Sequence, residues 1–165
     1  MIVRNSTPND LPSIMRIYDI ARTYMRNNGN ATQWDDNYPN KEIVQKDIDE
    51  FNSYVILVDD KIVGTFSFIV GPEETYQVIE NGNWRYDYPY GTIHRLASDG
   101  TTKGIAKICF DYCSDIISYI RIDTHNDNLT MKHSILKFGF KECGIIYVRD
   151  KSKRVAFDYL STTNK

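Results

Sequence analysis

Hydrophobic and polar residues along the chain alternate in patterns that predict seven strands and four helices. Strand-like runs, alternating or continuously apolar, fall at Ile2–Asn5, 54–58, Lys61–Val70, 92–98, Tyr119–Thr124, 140–148 and 154–159. Helical spacing of apolar residues follows Thr7 and recurs at 41–51, 104–117 and 128–138. The order is one strand, two helices, three strands, a helix, a strand, a helix and two strands. This order predicts a mixed α/β fold with a strand–helix–strand crossover in its second half.

Two local patterns make the element assignments more specific. Thr7 and Pro8 are typical of a helix start, and Ile14, Ile17 and Ala21 give the following helix one apolar face. In the strand Lys61–Val70, strict alternation predicts that Ile62, Phe66, Phe68 and Val70 share a face of the sheet. In the helix 104–117, the expected apolar positions are Ile105, Ile108, Cys109, Tyr112 and Ile116. The polar and aromatic stretch 71–90 is a long loop, either functional or a variable insertion.

Composition and charge narrow the class of protein. The 165 residues are 41% hydrophobic and 25% charged, which predicts a single domain spanning residues 1–165. A net charge of −2 argues against a nucleic-acid partner. No apolar run is long enough to cross a bilayer and residues 1–4 lead directly into polar sequence, so we expect a cytoplasmic protein without a leader or membrane partner. Cys109, Cys113 and Cys143 lack metal-ligand spacing, so we expect no metal, and Cys109 and Cys113 are expected to be small buried residues of a helix.

Chemistry is indicated most clearly by the stretch 93–106, where a strand ends, Gly100 follows and a helix begins near Gly104. The free backbone N–H groups of a helix start attract anions, glycine allows close approach, and Lys103 adds a cation. The stretch contains neither of the two common nucleotide-binding glycine fingerprints. It predicts a pyrophosphate cradle, with an ordinary strand-to-helix loop as the alternative.

The same stretch, taken with later residues, resembles the GNAT N-acetyltransferase superfamily. That family's loop pattern, Gln/Arg-x-x-Gly-x-Gly/Ala, falls on 101–106, where Gly104 and Ala106 match and Thr101 replaces Gln or Arg. The connection is about two residues shorter than is usual in the family. Asn128 and the pair Gly139 and Phe140 match the family's later pattern, and the element order is that of the GNAT fold over nearly the whole chain.

The resemblance implies a mostly antiparallel sheet of about seven strands with flanking helices, in which two central strands splay to hold acetyl-CoA. Backbone groups of Leu96, Ala97 and Ser98 would pair with the pantetheine arm, and Asn128 would contact the cofactor. The pyrophosphate would lie against the loop and helix start formed by Thr101, Thr102, Lys103, Gly104, Ile105 and Ala106.

Candidate catalytic residues are less clearly marked. His94 is our first choice as the base that deprotonates an amine, because it lies near the expected acyl end and imidazole titrates near neutral pH. A hydrogen-bonded histidine at the core edge is the alternative, and Glu73, Glu74 and Glu80 are weaker candidates. The tyrosine acid of many GNAT enzymes matches Ile135, which cannot donate a proton.

Aromatic residues in two loops could wall an acceptor pocket, with Trp34, Trp84 and Tyr88 as the substrate-binding candidates. Packing of the loops onto the sheet is the alternative reading. The main hypothesis is transfer of an acyl group from a coenzyme A thioester to an amine of a small molecule or peptide. An acyl-CoA-binding sensor and a plain interaction domain remain alternatives, and the resemblance makes a homodimer plausible.

Overall fold

The computed structural model describes residues 1–162, and in that range it contains seven strands and four α-helices in the predicted order. The strands are β1 Ile2–Asn5, β2 Ser53–Val58, β3 Lys61–Val70, β4 Gly91–Ser98, β5 Tyr119–Thr124, β6 Lys141–Tyr147 and β7 Lys153–Leu160. The helices are α1 Leu11–Asn27, α2 Lys41–Asp49, α3 Ile105–Ile116 and α4 Leu129–Phe138. None of the helices in residues 1–162 is long and apolar enough to span a bilayer. The predicted mixed α/β architecture is confirmed.

The seven strands form one sheet in the order β1-β2-β3-β4-β5-β7-β6. β1 with β2, β2 with β3, β5 with β7 and β6 with β7 are antiparallel pairs. β4 and β5 run parallel, since the chain returns through α3, and their pairing covers Gly91–Ile93 of β4. The mostly antiparallel sheet that the resemblance implied is therefore confirmed.

The chain divides into two compact units. The first comprises Met1–Phe68 and His94–Ile105, and the second comprises Ile69–Ile93 and the chain from Ala106 onward. In the first unit, α1 and α2 contribute to an apolar core with one side of the strands. Its buried members include Leu11, Ile14, Ile17, Val44, Ile48, Val55, Ile62 and Ala97.

The first helix starts in two steps. A single 3-10 turn at Pro8–Asp10 precedes α1, and the main-chain N–H of Thr7 donates to Asp10 Oδ2 at 2.7 Å. Arg4 holds the same carboxylate through two bonds of 2.7 and 3.1 Å. The hydrogen bonds from Arg4 lower the pKa of Asp10 despite its burial. The predicted helix start is thus present, and an ion pair fixes it to β1.

β3 departs from the alternation expected of it because of a bulge in its pairing with β2. Ile56 pairs with Gly64, whereas the next residue, Leu57, pairs with Ile62. Since neighbouring strand residues point to opposite faces, Ile62 lies on the opposite face from Gly64 and Phe66. The prediction that Ile62 and Phe66 share a face is therefore wrong, and Val70 is 55% exposed.

In the second unit, α3 buries a face shifted from the predicted one. Cys109, Phe110 and Cys113 are fully buried, whereas Ile116 is 47% exposed. The Phe110 ring makes an edge contact with Phe140, with ring centroids 5.0 Å apart. The apolar positions expected for this helix were partly wrong, because Phe110 is buried and Ile116 is not.

Candidate functional site

The loop after β4 presents an open main-chain surface within the first unit. Gly100 and Gly104 have φ values of +78° and +81°, a conformation that favours glycine. No heavy atom lies within 4 Å of the position that a Cβ would occupy at either glycine. Thr101, Lys103 and Gly104 are exposed and Thr102 is half-buried. The main chain here is accessible from solvent.

Asp99 fixes the shape of this loop. Its main-chain N–H donates to Val63 O at 3.0 Å, and its Oδ1 accepts from Thr101 N at 3.0 Å and from Thr101 Oγ1 at 2.6 Å. Its Oδ2 is buried without a hydrogen bond among the described residues, 3.7 Å from Lys61 Nζ and 4.0 Å from Arg16 Nη2. Burial alone would raise the pKa of Asp99, but the bonds from Thr101 and the two cations bring it below its ordinary value.

A close approach between β3 and the first residue of α3 places the helix start. A Cβ added to Gly64 would lie 2.8 Å from Ile105 Cγ2 and 3.4 Å from Ala97 O. Ile105 is buried there, so the absence of a side chain at residue 64 lets the helix begin close against the strand. Ile105 is therefore a packing residue that positions the loop.

The loop and helix start can bind an anion through the main chain. In residues 1–162, the main-chain N–H groups of Thr102, Lys103 and Gly104 donate to no protein acceptor. The first N–H groups of α3 follow directly, and the helix dipole makes this end electropositive. Lys103 is exposed beside them. The residues present therefore fit a phosphate group, as the glycine pattern predicted. Thr101 N–H differs, because Asp99 already occupies it.

The part of β4 that precedes this loop contains a distortion at Arg95. Arg95 has φ +54° in the interior of the strand, an uncommon conformation for a residue with a side chain. Leu96 and Ala97 after it are buried, while His94 and Ser98 are half-buried. A residue of positive φ inside a strand redirects the neighbouring backbone and side chains, and such unusual conformations are frequent at active sites. His94 lies immediately before this point.

The aromatic acceptor-site candidates belong to different compact units. Trp34 is 8% exposed and packs in the first unit's core against Tyr18 and Tyr38, with ring centroids 5.6 and 6.1 Å away. Trp84 and Tyr88 belong to the second unit. Tyr88 is 52% exposed and stacks on Tyr86 at 5.2 Å. Trp34 therefore makes core packing contacts, and its part in an acceptor pocket stays a prediction.

Trp84 also has a packing role, around a buried arginine. Its ring centroid lies 4.1 Å from the Arg121 guanidinium carbon, and the Tyr90 centroid lies 3.9 Å from the same carbon. Trp84 Nε1 donates to Tyr76 O at 2.9 Å. These contacts hold the 71–90 loop on β5.

Asp158 provides the second attachment of that loop. This fully buried carboxylate accepts from Arg85 N at 3.0 Å, from Arg85 Nε at 2.5 Å and from Tyr119 Oη at 2.7 Å. Burial, with Asp158 nearby, raises the pKa of Cys143 to about 12, so this thiol is not a nucleophile near neutral pH. Sequence reasoning missed the network, although a charged residue inside each of the strands β5 and β7 was the available signal.

Asn128 and Ile135 have structural roles on α4. Asn128 is the N-cap of the helix, and its Oδ1 accepts from Met131 N at 3.2 Å. Ile135 is fully buried. Ala106, the remaining candidate, is a half-buried residue in the first turn of α3.

Solved structures with the same architecture are numerous. A GNAT-family acetyltransferase from Streptococcus agalactiae 2603 is 28% identical with a TM-score of 0.90, and the match covers 98% of this chain and 96% of that one. One from Listeria monocytogenes 4b F2365 is 16% identical with a TM-score of 0.70, covering 96% and 94%. A ribosomal-protein-alanine N-acetyltransferase from Brucella melitensis is 14% identical with a TM-score of 0.64, covering 97% and 99%.

Neither protein-family models nor curated proteins gave a match to the sequence. The structural likeness is nevertheless extensive, since 219 chains match and those described above match over almost their whole lengths. The element order, the parallel β4–β5 pair and the loop at the start of α3 agree with the resemblance seen in the sequence. The chain therefore has the fold of the GNAT N-acetyltransferases and resembles that superfamily over almost its whole length.

Proposed function

We propose that this protein is an acetyl-CoA-dependent N-acetyltransferase that moves the acetyl group directly to a primary amine of a small molecule or peptide. The observation that carries the proposal is the loop from Ser98 to Ile105, which exposes unpaired main-chain N–H groups at a helix start. The likeness to GNAT-family acetyltransferases of known structure supports the same reading.

The residues of this loop are suited to the diphosphate of coenzyme A. Main-chain N–H groups of Thr102, Lys103 and Gly104, followed by those of Ile105 and Ala106, would hold the phosphates, with Lys103 as an added cation. Backbone groups of Leu96, Ala97 and Ser98 would pair with the pantetheine arm. Contact of Asn128 with the cofactor remains a prediction, since its Oδ1 already caps α4. When bound, acetyl-CoA supplies an acyl group activated as a thioester.

His94 would prepare the acceptor for the reaction. An alkyl ammonium must lose a proton before it is nucleophilic, and a neutral imidazole can accept that proton near pH 7. No proton donor occupies the family's tyrosine position, because Ile135 lies there and is fully buried. An alkyl thiol has a pKa near 8.5, so departure of the thiolate near neutral pH does not require a strong acid.

The second candidate function is an acyl-CoA-binding sensor with little turnover, which the apolar Ile135 favours. Two measurements separate the possibilities. Calorimetry with acetyl-CoA tests the cofactor site, and thiol release across a panel of primary amines tests turnover. Binding with release supports the enzyme, binding without release with any amine supports the sensor, and no binding refutes both.

Substitution of His94 tests the assigned base. His94→Gln should lower kcat by about 10²- to 10⁴-fold while leaving acetyl-CoA affinity within threefold. His133→Gln is the matched control, since His133 is exposed on α4 and should leave both values unchanged. Equal turnover of the two variants would show that another group, or water, takes the proton.

A further inference from the structure

Arg95 occupies a conformation that its own backbone does not favour. Arg95 has φ near +54°. Glycine adopts such a φ often and arginine rarely, because the arginine side chain crowds the main chain. Conformations of this kind persist where the surrounding structure determines them at several points, and they concentrate at functional sites. The contacts of Arg95 therefore indicate what fixes the bend.

Three residues hold both the guanidinium and the main-chain carbonyl of Arg95. They lie on α1, on α2 and in the connection between these helices. Its Nε and Nη2 donate to Asp47 Oδ2 at 3.1 and 2.7 Å, and its Nη1 donates to Tyr38 Oη at 3.1 Å. Tyr18 Oη donates to the main-chain carbonyl of Arg95 at 2.9 Å. We name Tyr18, Tyr38 and Asp47, together with Arg95, the Arg95 clamp.

The clamp is a buried and charge-balanced unit. The side chains of Arg95 and Asp47 are 11% and 9% exposed. Burial keeps the pKa of Asp47 above its ordinary value, although Arg95 opposes that rise. The pKa of Arg95 lies above its ordinary value despite its burial, because Tyr38 and Asp47 favour the charged form. Two guanidinium donors share Asp47 Oδ2 and a third donates to Tyr38, so the buried guanidinium is restricted to one orientation, which a lysine cannot reproduce.

The position of the clamp in the sequence gives it a role in the proposed reaction. Arg95 lies between His94, the assigned base, and Leu96, where the assigned pantetheine segment begins. Any rotation at residue 95 changes the direction of the imidazole and of the main-chain groups of Leu96 together. Misplacement of a reacting group by about 1 Å can reduce a rate roughly 10²-fold.

We infer that Arg95 is a positioning residue for acyl transfer, whose side chain, held by Asp47 and Tyr38, sets the bend in β4 that orients His94 and Leu96. The inference rests on the proposed function. It assigns no contact with the substrates to Arg95 itself. Tyr18 acts on the same bend by holding the carbonyl of residue 95.

Replacement of Arg95 by glycine and by alanine separates backbone geometry from packing. Both variants lose the clamp, but only glycine accepts φ +54° without strain. We expect kcat to fall about 100-fold in Arg95→Ala and about 10-fold in Arg95→Gly, with KM for acetyl-CoA within threefold of wild type. A purely structural role predicts that both variants lose thermal stability and keep the same, nearly normal kcat.

Hydrogen exchange gives a second readout that does not depend on activity. Amides of residues 94–96 should exchange at least 10-fold faster in Arg95→Ala than in wild type, and Arg95→Gly should be intermediate. Unchanged exchange in both variants would overturn the inference even if no acceptor amine had been found. Asp47→Asn retains the full Arg95 side chain, and it should also lower kcat and speed amide exchange at residues 94–96. The inference can therefore still be tested if Arg95→Ala fails to fold.

Arg4→Ala is the matched control, because it removes a different arginine–aspartate pair of the first unit, Arg4 with Asp10, whose arginine lies on the edge strand β1 and not on β4. It should lower the melting temperature and leave kcat and exchange at residues 94–96 unchanged. Equal loss of kcat in Arg4→Ala and Arg95→Ala would overturn the inference. Failure of wild-type protein to bind acetyl-CoA would instead refute the proposed function, so the two failures are distinguishable.

Discussion

Gly104 offers a direct test of the phosphate site, because two isosteric side chains can be placed there with and without charge. Its φ of +81° is tolerated by Asn and Asp better than by other residues with a side chain, and no heavy atom obstructs a Cβ. Gly104→Asn and Gly104→Asp should therefore share a similar, small loss of stability, on the order of 1 kcal/mol. The difference between them reports the charge alone.

The expected size of that difference follows from Coulomb's law. A carboxylate about 6 Å from a diphosphate with about two negative charges is repelled by about 1.4 kcal/mol in water. That energy corresponds to about a tenfold difference in Kd. At roughly 0.01 M ionic strength the screening length is near 30 Å and the difference should be fully expressed, whereas at 1 M it should largely disappear.

Isothermal titration of both variants with acetyl-CoA at the two salt concentrations measures this difference. The Asp variant should bind about tenfold more weakly than the Asn variant at low salt, and the two should converge at high salt. The wild-type protein and Gly29→Asn serve as references, since Gly29 also has positive φ (+81°) and open space around it. Equal affinities of the Asp and Asn variants at low salt would refute the placement of the phosphates at this loop.

Three further predictions concern stability. Gly64→Ala should place a Cβ against Ile105 and lower the free energy of unfolding, measured in urea, by about 1–3 kcal/mol. It should also weaken the binding of acetyl-CoA. If neither value changed, the start of α3 would be free to shift. Asp158→Ala should cost about 2–5 kcal/mol because the Tyr119 hydroxyl loses its acceptor, and Asp158→Asn should cost less. The lowered pKa of Asp10 contributes stability above its ordinary value near 3.8 that is lost as pH falls through the folded-state pKa, so Asp10→Asn should flatten the acid side of a Tm–pH profile. Profiles of identical slope would contradict that contribution.

Element order could be predicted because it depends mainly on local patterns. Alternating apolar residues, turn residues such as Asp59 and Asp60, and the Thr7–Pro8 start act within a few positions of one another. The face of Ile62 could not be predicted, since the bulge that turns it depends on the pairing with β2. The predicted buried face of α3 was wrong near the end of the helix, where Ile116 is exposed.

One part of the candidate site could be predicted from the sequence and another part could not. The glycine loop was visible because a strand, a glycine turn and a helix start are consecutive in the sequence. The Arg95 clamp was not visible, since Asp47 and Arg95 are 48 positions apart and meet only in the folded unit. The burial of Trp34 could not be predicted, because an aromatic residue in a polar loop gives no sign of whether it points inward.

The two tryptophans are divided between the compact units, which makes the protein its own optical reporter. Trp34 lies in the apolar core of the first unit, and Trp84 lies against the cationic Arg121 in the second. Their indoles therefore have unlike electrostatic surroundings and should emit at different wavelengths. Time-resolved emission during refolding could assign each kinetic phase to one unit without any attached dye.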